Sequence, residues 1–165
     1  MNNNSGKLSV VGWREWLALP DLGIEHIKAK VDTGARTSAL HAFYVEPFEH
    51  HGKQWVRFRI HPLQGNSQYV VECTAPVKDR RVVSDSGGHR EDRYVIETTI
   101  SLGVSRWLAE LTLTDRDSMK FRMLLGRTAL ADNFLVNPAA SYALGRKPAK
   151  RHKKPSPNKK DEQTP

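Results

Sequence analysis

Along most of the chain, apolar and polar residues alternate with a period of two. Residues 53–62 place Val56, Phe58 and Ile60 on one face and Trp55, Arg57 and Arg59 on the other, which predicts a half-buried strand. His51-Gly52 separates it from 39–49, and the pair reads as a hairpin. Further strands are predicted over 8–19, 24–31, 68–74, 92–102, 106–114 and 119–125. Between strands near 80 and 95 lies Ser-Asp-Ser-Gly-Gly-His-Arg, a hairpin tip centred on Gly87-Gly88. One segment, 127–132, reads as a short helix, and Phe134-Leu135-Val136 as a short strand after it. No long repeat recurs. Many short strands, closely spaced turns and one late helix predict an all-β fold, a small closed β-barrel with a short C-terminal helix.

Charge divides the chain. The 165 residues carry 26 Lys and Arg against 18 Asp and Glu, a formal +8. Residues 146–165 hold eight of the bases and two of the acids, so +6 of that charge lies in the last 20 positions. The division read from this is a flexible start over 1–7, a folded domain over 8–144 and a basic tail over 145–165. The tail has too little apolar content to offset the entropy of ordering, which predicts disorder. No apolar run reaches the roughly 18–20 residues that span a bilayer, and no secretory leader is visible at the start. With Cys73 the single cysteine, intramolecular disulfides and Cys-rich zinc modules are excluded. A buried, inert Cys73 thiol, a cytoplasmic location and no membrane partner are expected.

The candidate chemistry lies in two short stretches. A predicted strand runs through Ile27, Ala29 and Val31 directly into Asp32-Thr33-Gly34-Ala35. Alone, that is also ordinary turn composition. Near the end of the domain, Met123-Leu124-Leu125 leads into Gly126-Arg127 and the helix. Together the two stretches resemble the retropepsins, the single-domain aspartic peptidases typified by retroviral proteases. Over about 10–144 the chain is more narrowly similar to a bacterial retropepsin-like group that carries the label of ATP-dependent zinc protease.

That resemblance implies an aspartic endopeptidase. Such chemistry needs two carboxyls about 3 Å apart sharing a proton, one acting as base toward water while the other donates to the scissile carbonyl. The chain has one Asp-Thr-Gly. Asp85-Ser86-Gly87 falls within the predicted hairpin tip and not on an apolar strand, so the expected pair is Asp32 from each of two copies in a C2 homodimer. By resemblance Thr33 bonds across the axis, and Gly34 admits the substrate backbone. Ala35, Arg36, Ser86, Gly87, Gly88, His89 and Arg90 contact substrate, the last five as a closing flap. Gly126 and Arg127 support the catalytic loop.

Retroviral members carry an acid four residues after the catalytic aspartate, and it pairs with the Arg of Gly-Arg. Here that position is Arg36, so Arg127 needs another partner, with Asp115, Asp117 and Asp132 as candidates. Arg36 with His41, His89, Arg90 and Arg93 places cations around the cleft, which predicts an acidic peptide or glutamate-extended protein as substrate. The resemblance also implies association with glutamate ligases and the ribosome. No His-Glu-x-x-His string and no phosphate-binding Gly-x-x-x-x-Gly-Lys loop occurs, so no metal and no cofactor are expected. Cys73 and the four tryptophans read as packing residues. A different class of function also fits the tail: a non-enzymatic β-barrel adaptor that binds RNA or the ribosome through 146–160.

Overall fold

The computed structural model describes residues 8–63, 65–84, 87–115 and 120–145. They form twelve strands, one turn of 3-10 helix at Pro20–Leu22 and one short α-helix. The strands are β1 Ser9–Val11, β2 Arg14–Leu19, β3 Ile24–Asp32, β4 Ser38–His41, β5 Tyr44–His50 and β6 Lys53–Ile60. They continue as β7 Val71–Pro76, β8 Asp79–Ser84, β9 Arg90–Leu102, β10 Ser105–Thr114, β11 Met123–Gly126 and β12 Phe134–Val136, with α1 Arg127–Leu130 between the last two.

The fold is mostly β, as the alternation predicts. Seven strands pair in the order β10-β4-β11-β3-β2-β9-β8, and β10 also pairs β9, so the pairings close a circuit. One link of that circuit is thin, a single registered pair between Ala18 and Ser101. A three-stranded sheet, β5-β6-β7, and a parallel pair, β1-β12, complete the molecule. The predicted single closed barrel is therefore resolved into three sheets around one core.

Several predicted elements differ in extent. The 8–19 strand is broken at Gly12-Trp13. A side chain on Gly12 would run into the carbonyl of Ala140, and Trp13 N–H donates to that same carbonyl at 2.8 Å. The 39–49 segment also divides, into β4 in the large sheet and β5 in the three-stranded one. Its hairpin to β6 turns on His51 (φ 54°) and Gly52 (φ 77°) as expected. The helix ends at Leu130, two residues early, because Ala131 is extended (ψ 140°) and Asp132 is left-handed (φ 69°). The predicted strand over 119–125 is β11, Met123–Gly126, and 116–119 lie outside the described residues. The start over 1–7, expected to be flexible, and the tail beyond Gly145, expected to be disordered, also lie outside them.

Core residues come from the inward half of each alternation. Ile27, Ala29 and Val31 of β3, Leu111 and Leu113 of β10, and Met123 and Leu125 of β11 meet Val56, Phe58 and Ile60 of β6. Cys73 is buried among them, its thiol 3.4 Å from the Leu22 carbonyl, and burial pushes that thiol up to about 12. No helix among the described residues is long and apolar enough to cross a membrane.

Candidate active site

The two diagnostic stretches meet edge to edge. β3 and β11 run parallel, with Leu125 beside Val31 and Gly126 beside Asp32. The inward Ile27, Ala29 and Val31 of β3 and the apolar Met123-Leu124-Leu125 of β11 hold both strands in the sheet, and both end at the same level, so Asp32 and the start of α1 emerge side by side. Asp32 is half-buried, while Thr33, Gly34 and Arg36 are exposed.

A set of backbone contacts holds the loop. Gly34 N–H donates to Asp32 Oδ1 at 3.0 Å, and Ala35 N–H donates to the Asp32 carbonyl at 3.1 Å. The first turn of α1 binds back: Arg127 N–H donates to the Ala35 carbonyl at 2.8 Å, and Thr128 N–H to that of Arg36 at 3.1 Å. Thr128 Oγ1 also donates to the Arg36 carbonyl at 2.7 Å, and Gly126 N–H donates to Ser38 Oγ at 2.9 Å. Unpaired donors at a helix start and unpaired carbonyls in a loop thus satisfy one another. A Cβ on Gly126 would stand 2.7 Å from the Thr37 carbonyl carbon and 3.0 Å from the Ala35 oxygen, so only glycine permits this approach.

Arg127 corrects one expectation. Neither Asp115 nor Asp132 pairs with it, and Asp117 lies outside the described residues. Its Nη1 instead donates to the carbonyls of Gly34 at 3.2 Å and Thr33 at 3.4 Å. Main-chain oxygens replace the missing carboxylate, which explains how Arg36 is tolerated where retroviral chains have an acid.

The predicted ring of cations is only partly present. Arg93 is buried, donating from Nε to Glu91 Oε1 at 2.9 Å and from Nη1 to Thr112 Oγ1 at 3.1 Å, so it is not an open cation. His41 is also buried, at the end of β4. Arg36 remains exposed beside a pocket of about 380 Å³ lined by Thr37, Arg81, Leu108, Glu110 and Thr128 among others, with Asp32 not in its lining. Across it, Arg81 pairs with Glu110 and Asp79, each at 2.9 Å, and Lys78 pairs with Glu97 at 3.0 Å and Glu110 at 3.4 Å. The Arg81 guanidinium, ahead of Lys78, holds the Glu110 carboxyl below its ordinary value.

Gly87, Gly88, His89 and Arg90 are exposed at the β8–β9 turn, where Gly88 has φ 86° and Ser84 pairs Arg90. Ser86 and Asp85 lie outside the described residues. Among the described residues no three His, Cys, Asp or Glu side chains gather as a metal site. Ser38, Thr128, Glu91 and Thr112, which carry the supporting hydrogen bonds, belong to no motif in the sequence. Of these, Thr128 alone has a local signal, since it directly follows Gly126-Arg127.

A family model described as the retropepsin-like aspartic endopeptidase RimB matches residues 10–147. The chain belongs to this RimB-like family. It is also 49% identical over 138 residues to a protein of Shewanella pealeana named probable alpha-L-glutamate ligase, covering 84% of this chain and 30% of that one. A Desulfotalea psychrophila protein of the same name is 46% identical over 136 residues, with 82% of this chain and 29% of the relative covered. The chain thus spans less than a third of the length of these relatives. Among solved structures, a Legionella pneumophila protein of unknown function (DUF785) is similar with a TM-score of 0.70 at 25% identity, over 84% of this chain and 99% of the other.

Proposed function

We propose that this RimB-like domain is an aspartic endopeptidase that works as a C2 homodimer, with one Asp32 from each copy forming the catalytic pair. The observation that carries the reading is the fixed position of Asp32. It ends a strand whose alternate residues are buried, beside Gly126, with Gly34 N–H on one carboxyl oxygen. That arrangement presents a single carboxyl per chain, and the chemistry requires two about 3 Å apart.

In the assembled site the pair shares one proton and titrates as a unit. The ionised carboxyl takes a proton from water as the water attacks, and the protonated one donates to the scissile carbonyl oxygen. The amine leaves with a proton from the pair. Gly34 admits the substrate backbone, Thr33 ties the two loops, and the tip around Gly87–Arg90 closes over the peptide and limits water.

Arg36 makes no ion pair among the described residues and stands exposed four residues after Asp32, so a carboxylate-bearing peptide is its natural counter-ion. Relatives that carry an equivalent domain within chains named glutamate ligase fit the same reading. Ligation would belong to the part of those proteins that this chain does not cover, and this domain would remove glutamate extensions. Wild type should cut an oligoglutamate-extended peptide faster than a neutral one, and Arg36→Glu should reduce that preference at least about tenfold. Asp32→Asn should abolish both. Equal rates on the two peptides would refute the acidic preference. Asp32 carboxyls found far apart in an active assembly would refute the dyad.

A further inference from the structure

The strand that delivers Asp32 also delivers cations to the same face. Alternation along β3 puts Lys28, Lys30 and Asp32 on one side, with Ile27, Ala29 and Val31 in the core on the other. Lys30 comes two residues before Asp32, about 7 Å away along the strand at the usual rise of about 3.3 Å per residue. It is exposed, with Leu124 of β11 beside it in one ladder and Arg14 of β2 beside it in the other.

Lys30 and Arg14 lack acids. Among the described residues, Arg57, Arg59, Lys78, Arg80, Arg81 and Arg93 each pair with a carboxylate, whereas Arg14, Lys28 and Lys30 pair with none. The acid next to Arg14, Glu15, is buried, and its carboxylate is occupied by the N–H groups of Gly12, Ala143 and Leu144. Arg14 is held in place: its guanidinium lies 4.6 Å from the ring centroid of Trp13 and 4.8 Å from that of Tyr142, and its Nε donates to Ser141 Oγ at 3.3 Å. A guanidinium stacked in this way keeps its charge at a fixed position. Lys28 is one step further from Asp32 and half-buried, its ammonium 5.8 Å from Trp16 and 5.7 Å from Phe121.

Charge alone would accept a phosphate or a carboxylate. Position decides between them. A ligand that reaches the Asp32 carboxyl passes Lys30, and under the peptidase reading, on which this inference rests, that ligand is a peptide. Its anions are the side chains of Glu and Asp. An extended peptide also advances about 3.3 Å per residue, so about 7 Å along β3 corresponds to about two peptide residues. We infer that Lys30, with Arg14 beside it, determines specificity by binding an acidic side chain of the substrate within about two residues of the bond that is cut. This contact is separate from that of Arg36, which lies beyond the Asp32 loop. In the C2 pair each copy supplies its own Lys30, so acidic side chains are selected on both sides of the bond.

The test is a double-mutant cycle between the full chain and an oligoglutamate-extended peptide, read as kcat/KM with the scissile bond located by mass spectrometry. Glutamates of the peptide are replaced by glutamine one at a time. With wild type, replacement within two residues of the scissile bond should lower kcat/KM at least about tenfold, and replacement further away should cost less. Lys30→Gln should lose at least about tenfold on the parent peptide and respond less than about twofold to that same replacement. Lys30→Glu should prefer a peptide with lysine at the sensitive position, a reversal that a merely structural role would not give. Arg36→Gln and Lys53→Gln, the latter at the β5–β6 turn, should keep the wild-type response there. Lys30 is exposed, so an unchanged melting temperature is expected for its variants. A Lys30→Gln chain that responds to every replacement as wild type does would overturn the inference and leave the peptidase reading in place. A response erased equally by Lys53→Gln would assign it to net charge and overturn the inference too. Failure of the peptidase reading looks different: Asp32→Asn would cut as wild type does, or neither would cut, and Lys30 would lose its substrate.

Discussion

Gly126 stands opposite Asp32 in the β3–β11 ladder, and the space that its side chain would fill is occupied by the carbonyls of Ala35 and Thr37. The loop after Asp32 therefore meets the start of α1 backbone to backbone at this point. Gly126→Ala should force these segments apart and cost about 1–3 kcal/mol. Thermal unfolding measures the loss. Exchange of the Arg127 and Thr128 amides, whose acceptors are the Ala35 and Arg36 carbonyls, should accelerate first. An alanine variant with wild-type stability and wild-type protection would contradict this packing.

Glu15 is fully buried yet satisfied, because three backbone N–H groups donate to its carboxylate. It ties the segment through Ala143 and Leu144 to the Gly12 break between β1 and β2. Glu15→Gln keeps the shape but removes the charge and turns one acceptor into a donor facing N–H groups. A loss of about 1–3 kcal/mol is expected, with faster exchange at Ala143 and Leu144 than elsewhere. Uniform exchange across the chain would show that Glu15 does not act on that segment.

Much of this was legible in the sequence. Period-two alternation located the strands, and Asp32-Thr33-Gly34-Ala35 with Gly126-Arg127 located the loop and its support, because both rest on local residue order. What escaped depends on pairing between distant segments. The break at Gly12 is imposed by Ala140, and β4 parted from β5 because it joins β10 and β11, which no local pattern encodes. Arg93 read as an open cation, but strand register buries it against Thr112 of β10. Arg127 was expected to find a carboxylate, whereas the loop offers carbonyls, which every residue carries and no sequence pattern marks.

Cys73 gives a pH-dependent prediction. Burial, with a smaller contribution from the Glu72 charge, raises its thiol from 9.0 to about 12. The native state therefore holds this proton more tightly than the unfolded chain does. The corresponding stability is complete below pH 9, declines as the unfolded thiol ionises, and is exhausted as pH passes 12. Chemical denaturation at pH 8 and pH 10.5 should show the decline, and Cys73→Ala should flatten it. At pH 8 a thiol reagent should label Cys73 only at the rate of unfolding. Rapid labelling of the native protein would contradict the burial.

If one active site uses Asp32 from two copies, mixing subunits must dilute its activity. Wild type is equilibrated with a ninefold excess of Asp32→Asn, and peptide hydrolysis is measured per wild-type chain. Random pairing leaves about a tenth of wild-type chains with a wild-type partner, so activity per wild-type chain should fall to about a tenth. Activity per wild-type chain that stays constant at every mixing ratio would mean that a single Asp32 suffices, and would contradict the shared pair.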